Sequence, residues 1–315
     1  MSRLKIAVLG ASGIGKFYVR EFLHAGAEVV AILGSSKETA EKTVAKLSSE
    51  YIFSPKAYFD LDMLIQNESL DAVSVCTPPE FHYPQVKRCL EAGLHVLCEK
   101  PFILDSECDN SQKTTELVKL AEKKKLVLGV NMQWPSVLKY FKPFVDLSNV
   151  QDFFMFMQPS VKGKEMLIEQ LSHMNSVLIR LIPNGKAEKI EFSTQAPEAE
   201  EIDVHFGYFN KNSKSKVHYK FKHKADRPRD IRFSINGIEF KRHVGEDYKQ
   251  KFITDKNEID IEDPFKISIG MFIGAIEGKG SPLISGEEII ENIALQDRII
   301  AEYTKRTIMP IRLTL

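Results

Sequence analysis

Net charge is the first thing missing from this 315-residue sequence: 43 lysines and arginines are balanced by 43 aspartates and glutamates. A neutral chain lacks the positive field that would draw it onto nucleic acid or an anionic membrane surface. Apolar runs as long as a membrane span, about eighteen residues, are missing too. Cysteine is scarce. Cys76, Cys89, Cys98 and Cys108 contain no C-x-x-C pair, so they read as reduced thiols and not as a disulfide frame or a zinc site. Met1-Ser2-Arg3 runs directly into an apolar strand pattern, with no signal-peptide cleavage region. What is present is ordinary for a globular protein, with 43% hydrophobic and 27% charged residues. At about 150 residues per domain the length suggests two domains. The expectation is a cytoplasmic enzyme of small molecules, with no nucleic-acid, membrane or metal partner.

The first 130 residues alternate short apolar runs with helical segments. Strands are expected at Leu4–Leu9, Glu28–Leu33, Asp71–Cys76, Leu94–Cys98 and Leu126–Val130. Helices fall between them, at 14–25, 37–47, up to Ala92, and 106–125. Strands separated by helices require crossover connections, hence a parallel sheet covered on both faces, an α/β doubly wound domain. The remainder reads as α+β. An amphipathic helix at Lys164–Ile182 carries Leu167, Leu171, Met174, Val177, Leu178 and Leu181 at helical spacing. Strands joined by turns follow to Ile253, giving an open, mostly antiparallel sheet flanked by helices. Turns are marked at Asn210–Ser215 and by Asn236-Gly237. In Lys216–Lys224, lysines alternate with Val217, Tyr219 and Phe221, which gives one wet and one apolar face. A helix at 286–305 and a short strand at Met309–Leu313 close the chain. The expected domains are 1–130 and 131–315, with the last helix packing back on the first domain.

Gly10-Ala11-Ser12-Gly13-Ile14-Gly15 joins the first strand to the first helix. Glycines there permit a tight turn and close approach of the backbone to a pyrophosphate, and the helix N-terminus offers unpaired N–H groups and a favourable dipole. In the G-x-G-x-x-G register of Rossmann dinucleotide-binding domains, Gly10 and Gly15 are the first and third glycines and Ser12 replaces the second. NAD-selective sites place an acid about 20 residues further on, at the end of the second strand. Here that position holds Leu33-Gly34-Ser35-Ser36-Lys37, whose hydroxyls and lysine suit a 2′-phosphate. The expected cofactor is therefore NADP in preference to NAD. A cap for the helix starting at Lys37 is a compatible role for the same serines.

Thr77-Pro78-Pro79-Glu80-Phe81-His82 and Ala92-Gly93-Leu94-His95-Val96-Leu97-Cys98-Glu99-Lys100-Pro101 are more specific. On these segments the chain resembles the Gfo/Idh/MocA family of sugar-type oxidoreductases, strongly over residues 4 to about 135 and more weakly to the end. Pro282–Ala301 also looks like that family's closing segment. The residue chemistry agrees: both segments follow parallel strands, where ligands bind in open α/β sheets. An ammonium at Lys100, held by the following proline, suits proton exchange with a substrate oxygen. The resemblance implies that Lys100 is catalytic, that its bond to Pro101 is often cis, and that Thr77, Pro78, Pro79, His82, Glu99 and Lys100 contact the coenzyme.

The family also carries D-x-x-x-H on a helix of its second domain; this chain has Glu169-Gln170-Leu171-Ser172-His173. Residues four apart share a helical face, so the resemblance implies catalytic roles for His173 and Glu169 and a substrate contact for His173. The Glu-for-Asp exchange lengthens the arm by one methylene. Asn131 and Trp134 are expected to touch substrate, and for Trp134 packing at the domain junction is an equal alternative. Met132-Gln133 replaces the family's basic residues after Asn131, and Ser176 replaces an acid, which favours a neutral substrate. The same losses keep a non-catalytic dinucleotide sensor open as an alternative. A short-chain dehydrogenase is rejected, because two residues, and not three, separate Gly10 from Gly13. The lysine stripe reads as a solvated sheet face. The resemblance also implies dimer contacts through the second domain's open sheet, so a homo-oligomer is expected.

Overall fold

The computed structural model describes residues 3–105, 109–246 and 248–307. It divides into two compact units, Met1–Asn131 with Phe265–Ile290, and Met132–Pro264 with Glu291–Leu315.

The first unit contains β1 (Lys5–Leu9), α1 (Gly15–His24), β2 (Glu28–Leu33), α2 (Lys37–Glu50), β3 (Lys56–Tyr58), α3 (Leu61–Asn67), β4 (Ala72–Val75), α4 (His82–Glu91), β5 (His95–Cys98), α5 (Asn110–Lys124) and β6 (Leu128–Val130). All six strands are parallel, in the order β3-β2-β1-β4-β5-β6. This is the order of a doubly wound dinucleotide fold, whose ligand crevice opens where the winding reverses, between β1 and β4. Consecutive residues of β1 (Ile6 to Leu9) and all of β4 are buried, as both-face coverage by helices requires. Asp60, Ser36 and Asp109 cap α3, α2 and α5 through the backbone N–H groups of Met63, Thr39 and Gln112. The cap of α5 places its start at Asn110, later than expected, and Ser106–Cys108 lie outside the described residues.

The second unit contains α6 (Leu138–Phe141), β7 (Asp152–Met157), α7 (Lys164–Leu181), β8 (Lys186–Phe192), β9 (Glu201–Phe209), β10 (Lys214–Lys222), β11 (Ile231–Ile235), β12 (Ile238–Val244), β13 (Gln250–Ile253) and β14 (Glu258–Ile261). The sheet order is β14-β13-β12-β11-β7-β10-β9-β8, antiparallel except for the β7–β10 pair. Leu167, Leu171, Met174 and Leu178 of α7 share one core with Val204, Phe206, Val217 and Tyr219 of β9 and β10. Phe141 stacks on Phe240 with ring centroids 3.9 Å apart and meets Phe233 and Phe252 edge-on. The alternate residues of β9 and β10 form the opposite, polar face.

The chain then returns to the first unit. Ile269, Phe272 and Ile273 of α8 (Pro264–Ile276) pack with Ile6, Val8, Tyr18 and Phe22. The last helix, α9 (Gly286–Thr307), is divided between the units, with residues 286–290 in the first, where a Cβ on Gly286 would lie 2.6 Å from Val118. From Glu291 onward it belongs to the second unit. Leu295, Ile299 and Tyr303 enter that unit's core, and Gln296 and Asn292 bond Ser172 at 2.7 and 2.8 Å. The expected strand at Met309–Leu313 lies outside the described residues. Among those residues no helix is long and apolar enough to cross a membrane.

His95 ties β5 to the approach to β6, its Nδ1 accepting from the Val127 N–H at 2.8 Å. Burial pushes the imidazole pKa below 6.5, opposed by the nearby Asp71 carboxylate. With the folded pKa depressed, this contribution to stability is full above the unfolded value of about 6.5. It is lost as pH falls through the folded value. An NMR titration is therefore expected to place the His95 transition below 6.5, with urea stability declining over the same interval; a transition above 6.5 would contradict this.

Candidate functional site

The turn after β1 is shaped by contact with the end of β4. Gly10 has φ +82°, and a Cβ there would lie 2.8 Å from the Cys76 carbonyl oxygen and 2.9 Å from the Thr77 nitrogen. A Cβ on Gly15 would lie 2.6 Å from the Gly10 carbonyl oxygen. Both positions therefore need glycine for close backbone packing, one at the reversal between β1 and β4, the other at the start of α1. Ser12, Gly13 and Ile14 are exposed. No side chain caps α1, and a Cβ on Gly13 would meet nothing within 4 Å. The uncapped N-terminus and the open space above it fit a pyrophosphate.

Beside it, the Gly10 N–H bonds the Leu33 carbonyl at 2.9 Å, which joins this turn to the one after β2. A Cβ on Gly34 would lie 2.7 Å from the Ala40 nitrogen, so α2 begins tight against the strand end. Ser35, Ser36 and Lys37 are exposed. Ser36 Oγ accepts from the Thr39 N–H at 3.2 Å and shares a hydroxyl–hydroxyl hydrogen bond with Thr39 Oγ1 at 3.0 Å. Lys37 Nζ lies 3.9 Å from Glu41.

After β4, Thr77 Oγ1 donates to Gln85 Oε1 at 2.6 Å, and Pro79–Phe81 form a short 3₁₀ turn behind Pro78. His82 is buried. Its Nε2 lies 2.8 Å from the Thr77 carbonyl, and its Nδ1 lies 2.9 Å and 3.2 Å from the carbonyls of Pro101 and Phe102. The ring thus fastens the loop after β4 to the loop after β5. Its geometry is that of a positioning residue, where the sequence suggested a coenzyme contact.

Glu99 is likewise buried. Its carboxylate accepts from the Tyr18 hydroxyl, from Asn131 Nδ2 at 2.9 Å and from the Lys100 N–H at 3.0 Å. A buried carboxylate is tolerable when its lone pairs are met in this way. Burial, then the negative field of Glu99, drives the Tyr18 pKa far up, so the phenol stays a donor. Burial foremost also raises the pKa values of the Cys76 and Cys98 thiols, and that of Cys89 reaches about 12. All three are free and buried, an inert environment for thiols. Lys100 follows Glu99 at the end of β5, half-buried, and its bond to Pro101 is cis. Tyr18 escaped sequence reasoning because its partner lies 81 residues away.

In the second unit, Glu169 and His173 stand one turn apart on α7, His173 buried and Glu169 half-buried. Glu169 accepts from the Ser160 N–H at 3.1 Å, Ser160 Oγ at 3.3 Å and Gln170 Nε2 at 3.1 Å, and Arg229 Nη1 lies 3.9 Å away. Ser176 Oγ bonds the His173 carbonyl at 2.7 Å. Trp134 is buried, tilted against Phe233 at 6.0 Å, with the Arg242 guanidinium 5.4 Å from its ring centroid. This packing within the second unit's own core accounts for its apolar surface.

Residues 4–132 match the oxidoreductase family with an NAD-binding Rossmann fold. Over 139 residues the chain is 36% identical to an uncharacterized oxidoreductase of Schizosaccharomyces pombe, covering 42% of this chain and 35% of that one. It is 28% identical over 130 residues to UDP-N-acetylglucosamine 3-dehydrogenase of Acidithiobacillus ferrooxidans, covering 41% and 37%. The matches thus span little more than a third of these curated relatives. Solved structures extend the likeness in fold to nearly the whole chain. The same Acidithiobacillus ferrooxidans enzyme superposes with a TM-score of 0.73 at 16% identity, covering 96% of this chain and 98% of that one. An oxidoreductase of Thermotoga maritima gives 0.74 at 14% identity, covering 95% and 96%.

Removing one donor from the Glu99 carboxylate is expected to weaken the unit without unfolding it. Tyr18→Phe should cost about 1–3 kcal/mol in urea unfolding; an unchanged midpoint would show that the bond carries no net stability.

Proposed function

We propose that the chain, whose residues 4–132 match the oxidoreductase family with an NAD-binding Rossmann fold, is a Gfo/Idh/MocA-type NAD(P)-dependent oxidoreductase. The substrate is a small, neutral, sugar-like molecule, oxidised or reduced at a carbon bearing hydroxyl or carbonyl. The observation that carries the reading is the uncapped α1 N-terminus above the Gly10–Gly15 contact, with Lys100 just past the end of β5, two strands along the sheet from β1. Bound at such a turn, a nicotinamide coenzyme supplies a hydride acceptor or donor at C4.

The protein's own share is binding, orientation and proton movement. Backbone N–H groups of Gly13, Ile14 and Gly15 hold the pyrophosphate. Ser35, Ser36 and Lys37, with no carboxylate from Leu33 to Lys37, receive a 2′-phosphate by charge-assisted hydrogen bonds. Thr77, Pro78 and Pro79 border the crevice after β4, while His82 and Glu99 hold the loops around it. Lys100 takes the proton from the substrate hydroxyl during oxidation, or returns it during reduction. His173 is assigned a proton-transfer role of its own on α7, and Asn131 is assigned as a polar group toward substrate. The names of relatives acting on inositol and D-xylose support the substrate class.

A second reading is favoured by the bonds that Glu169 makes to Ser160 and Gln170. A carboxylate held in this way suits a non-catalytic dinucleotide sensor as well as an enzyme. The two readings separate on Lys100→Met: an enzyme loses turnover by about 10²-fold or more while still binding nucleotide. A protein without turnover before the change, across a sugar and polyol screen, is the sensor. Coenzyme choice is read from paired KM values. NADPH is expected to be preferred over NADH, and Ser36→Asp to reverse the order; a strong wild-type preference for NADH would contradict the assigned 2′-phosphate contacts.

A further inference from the structure

Asp203 and His205 lie two residues apart on β9, and His218 lies directly opposite His205 on the antiparallel neighbour β10. Residues two apart on a strand share a face, and opposed residues bring their Cβ atoms to about 4.5–5.5 Å. These three occupy the face turned away from α7, because the alternating Val204, Phe206, Val217 and Tyr219 are buried in the core with that helix. One donor atom from each of the three lies within 4.8 Å of the others. His218 Nε2 is 2.6 Å from Asp203 Oδ1. The two imidazoles stack with centroids 4.0 Å apart, and Phe154 packs against His218 at 4.9 Å.

We propose that Asp203, His205 and His218 form a binding site for one divalent transition-metal ion of the zinc class. Two imidazole nitrogens and a carboxylate oxygen make a borderline donor set that zinc accepts in tetrahedral geometry, with water as the fourth ligand. The ligands need only side-chain rotation, because paired strands already fix their backbones. Lys220 is the competitor: its Nζ lies 3.3 and 3.4 Å from the two Asp203 oxygens. It also bonds Glu201, so the ammonium keeps a carboxylate when Asp203 turns to the metal. Lys216 and Lys220 flank His218 on the same face and oppose a cation, which sets the expected affinity in the micromolar range. The sequence showed no zinc pattern because such patterns rely on short fixed spacing, whereas these ligands meet only when β9 pairs with β10. The site would pin the two strands on the face opposite α7, independently of the proposed oxidoreductase chemistry.

Calorimetric titration of the full-length protein with zinc chloride tests the assignment, alongside thermal melts with and without zinc. The expected result is one zinc per chain, a zinc-dependent rise in Tm, and affinity weakened at least about tenfold in His205→Ala and in His218→Ala. Should His218→Ala fail to fold, the exposed position of His205 lets His205→Ala decide alone. No saturable binding below about 100 µM, or wild-type zinc affinity in His205→Ala, overturns the site.

Discussion

One buried carboxylate organises the candidate site of the first unit. Glu99 draws together the hydroxyl of Tyr18 from α1, the amide of Asn131 after β6 and the backbone N–H of Lys100 after β5. An unpaired charge at that depth would cost several kcal/mol. Satisfied by three donors, it instead fixes where α1 and the segment bearing Lys100 sit along the strand ends. His82 repeats the device one strand over, with its ring between carbonyls of two loops. The proposed catalytic lysine therefore rests on a loop held from both sides, as a proton-transfer group requires.

The glycine contacts add the complementary constraint. Gly10 and Gly15 leave no room for side chains toward the protein, whereas Gly13 has none of its space filled. A backbone packed tightly inward and open outward is what a bound pyrophosphate needs from a turn. The same physics explains why the site lies at the reversal between β1 and β4: only there do adjacent loops run to opposite sides and leave a crevice.

Much of this was legible in the sequence. β2 and the start of α7 follow the apolar periodicity closely, and Asn236-Gly237 marks the turn between β11 and β12. Other elements were hidden for identifiable reasons. In β7, Phe154 and Phe156 point to the polar face and remain covered by His218 and by the Arg232 guanidinium, so the strand lacks polar–apolar alternation. α8 carries Gly270 and Gly274, which lower helix propensity, and β3 is only three residues long. The roles of Tyr18 and His82 depend on contacts distant in sequence, which periodicity cannot report. Trp134 illustrates the limit from the other side: its indole suits a sugar face in sequence, yet it packs among Phe233 and Arg242.

The central claim is that the turn after β1 holds a dinucleotide, and Gly13 offers the most direct access to it. Because a side chain there would meet nothing within 4 Å, Gly13→Glu preserves packing while placing a carboxylate where the phosphates are to lie. Fluorescence titration of NADPH against the two proteins measures the consequence. Saturable micromolar binding by the wild type, lost in a variant of unchanged Tm, is the predicted result. No binding by the wild type, or equal binding by both, contradicts the account.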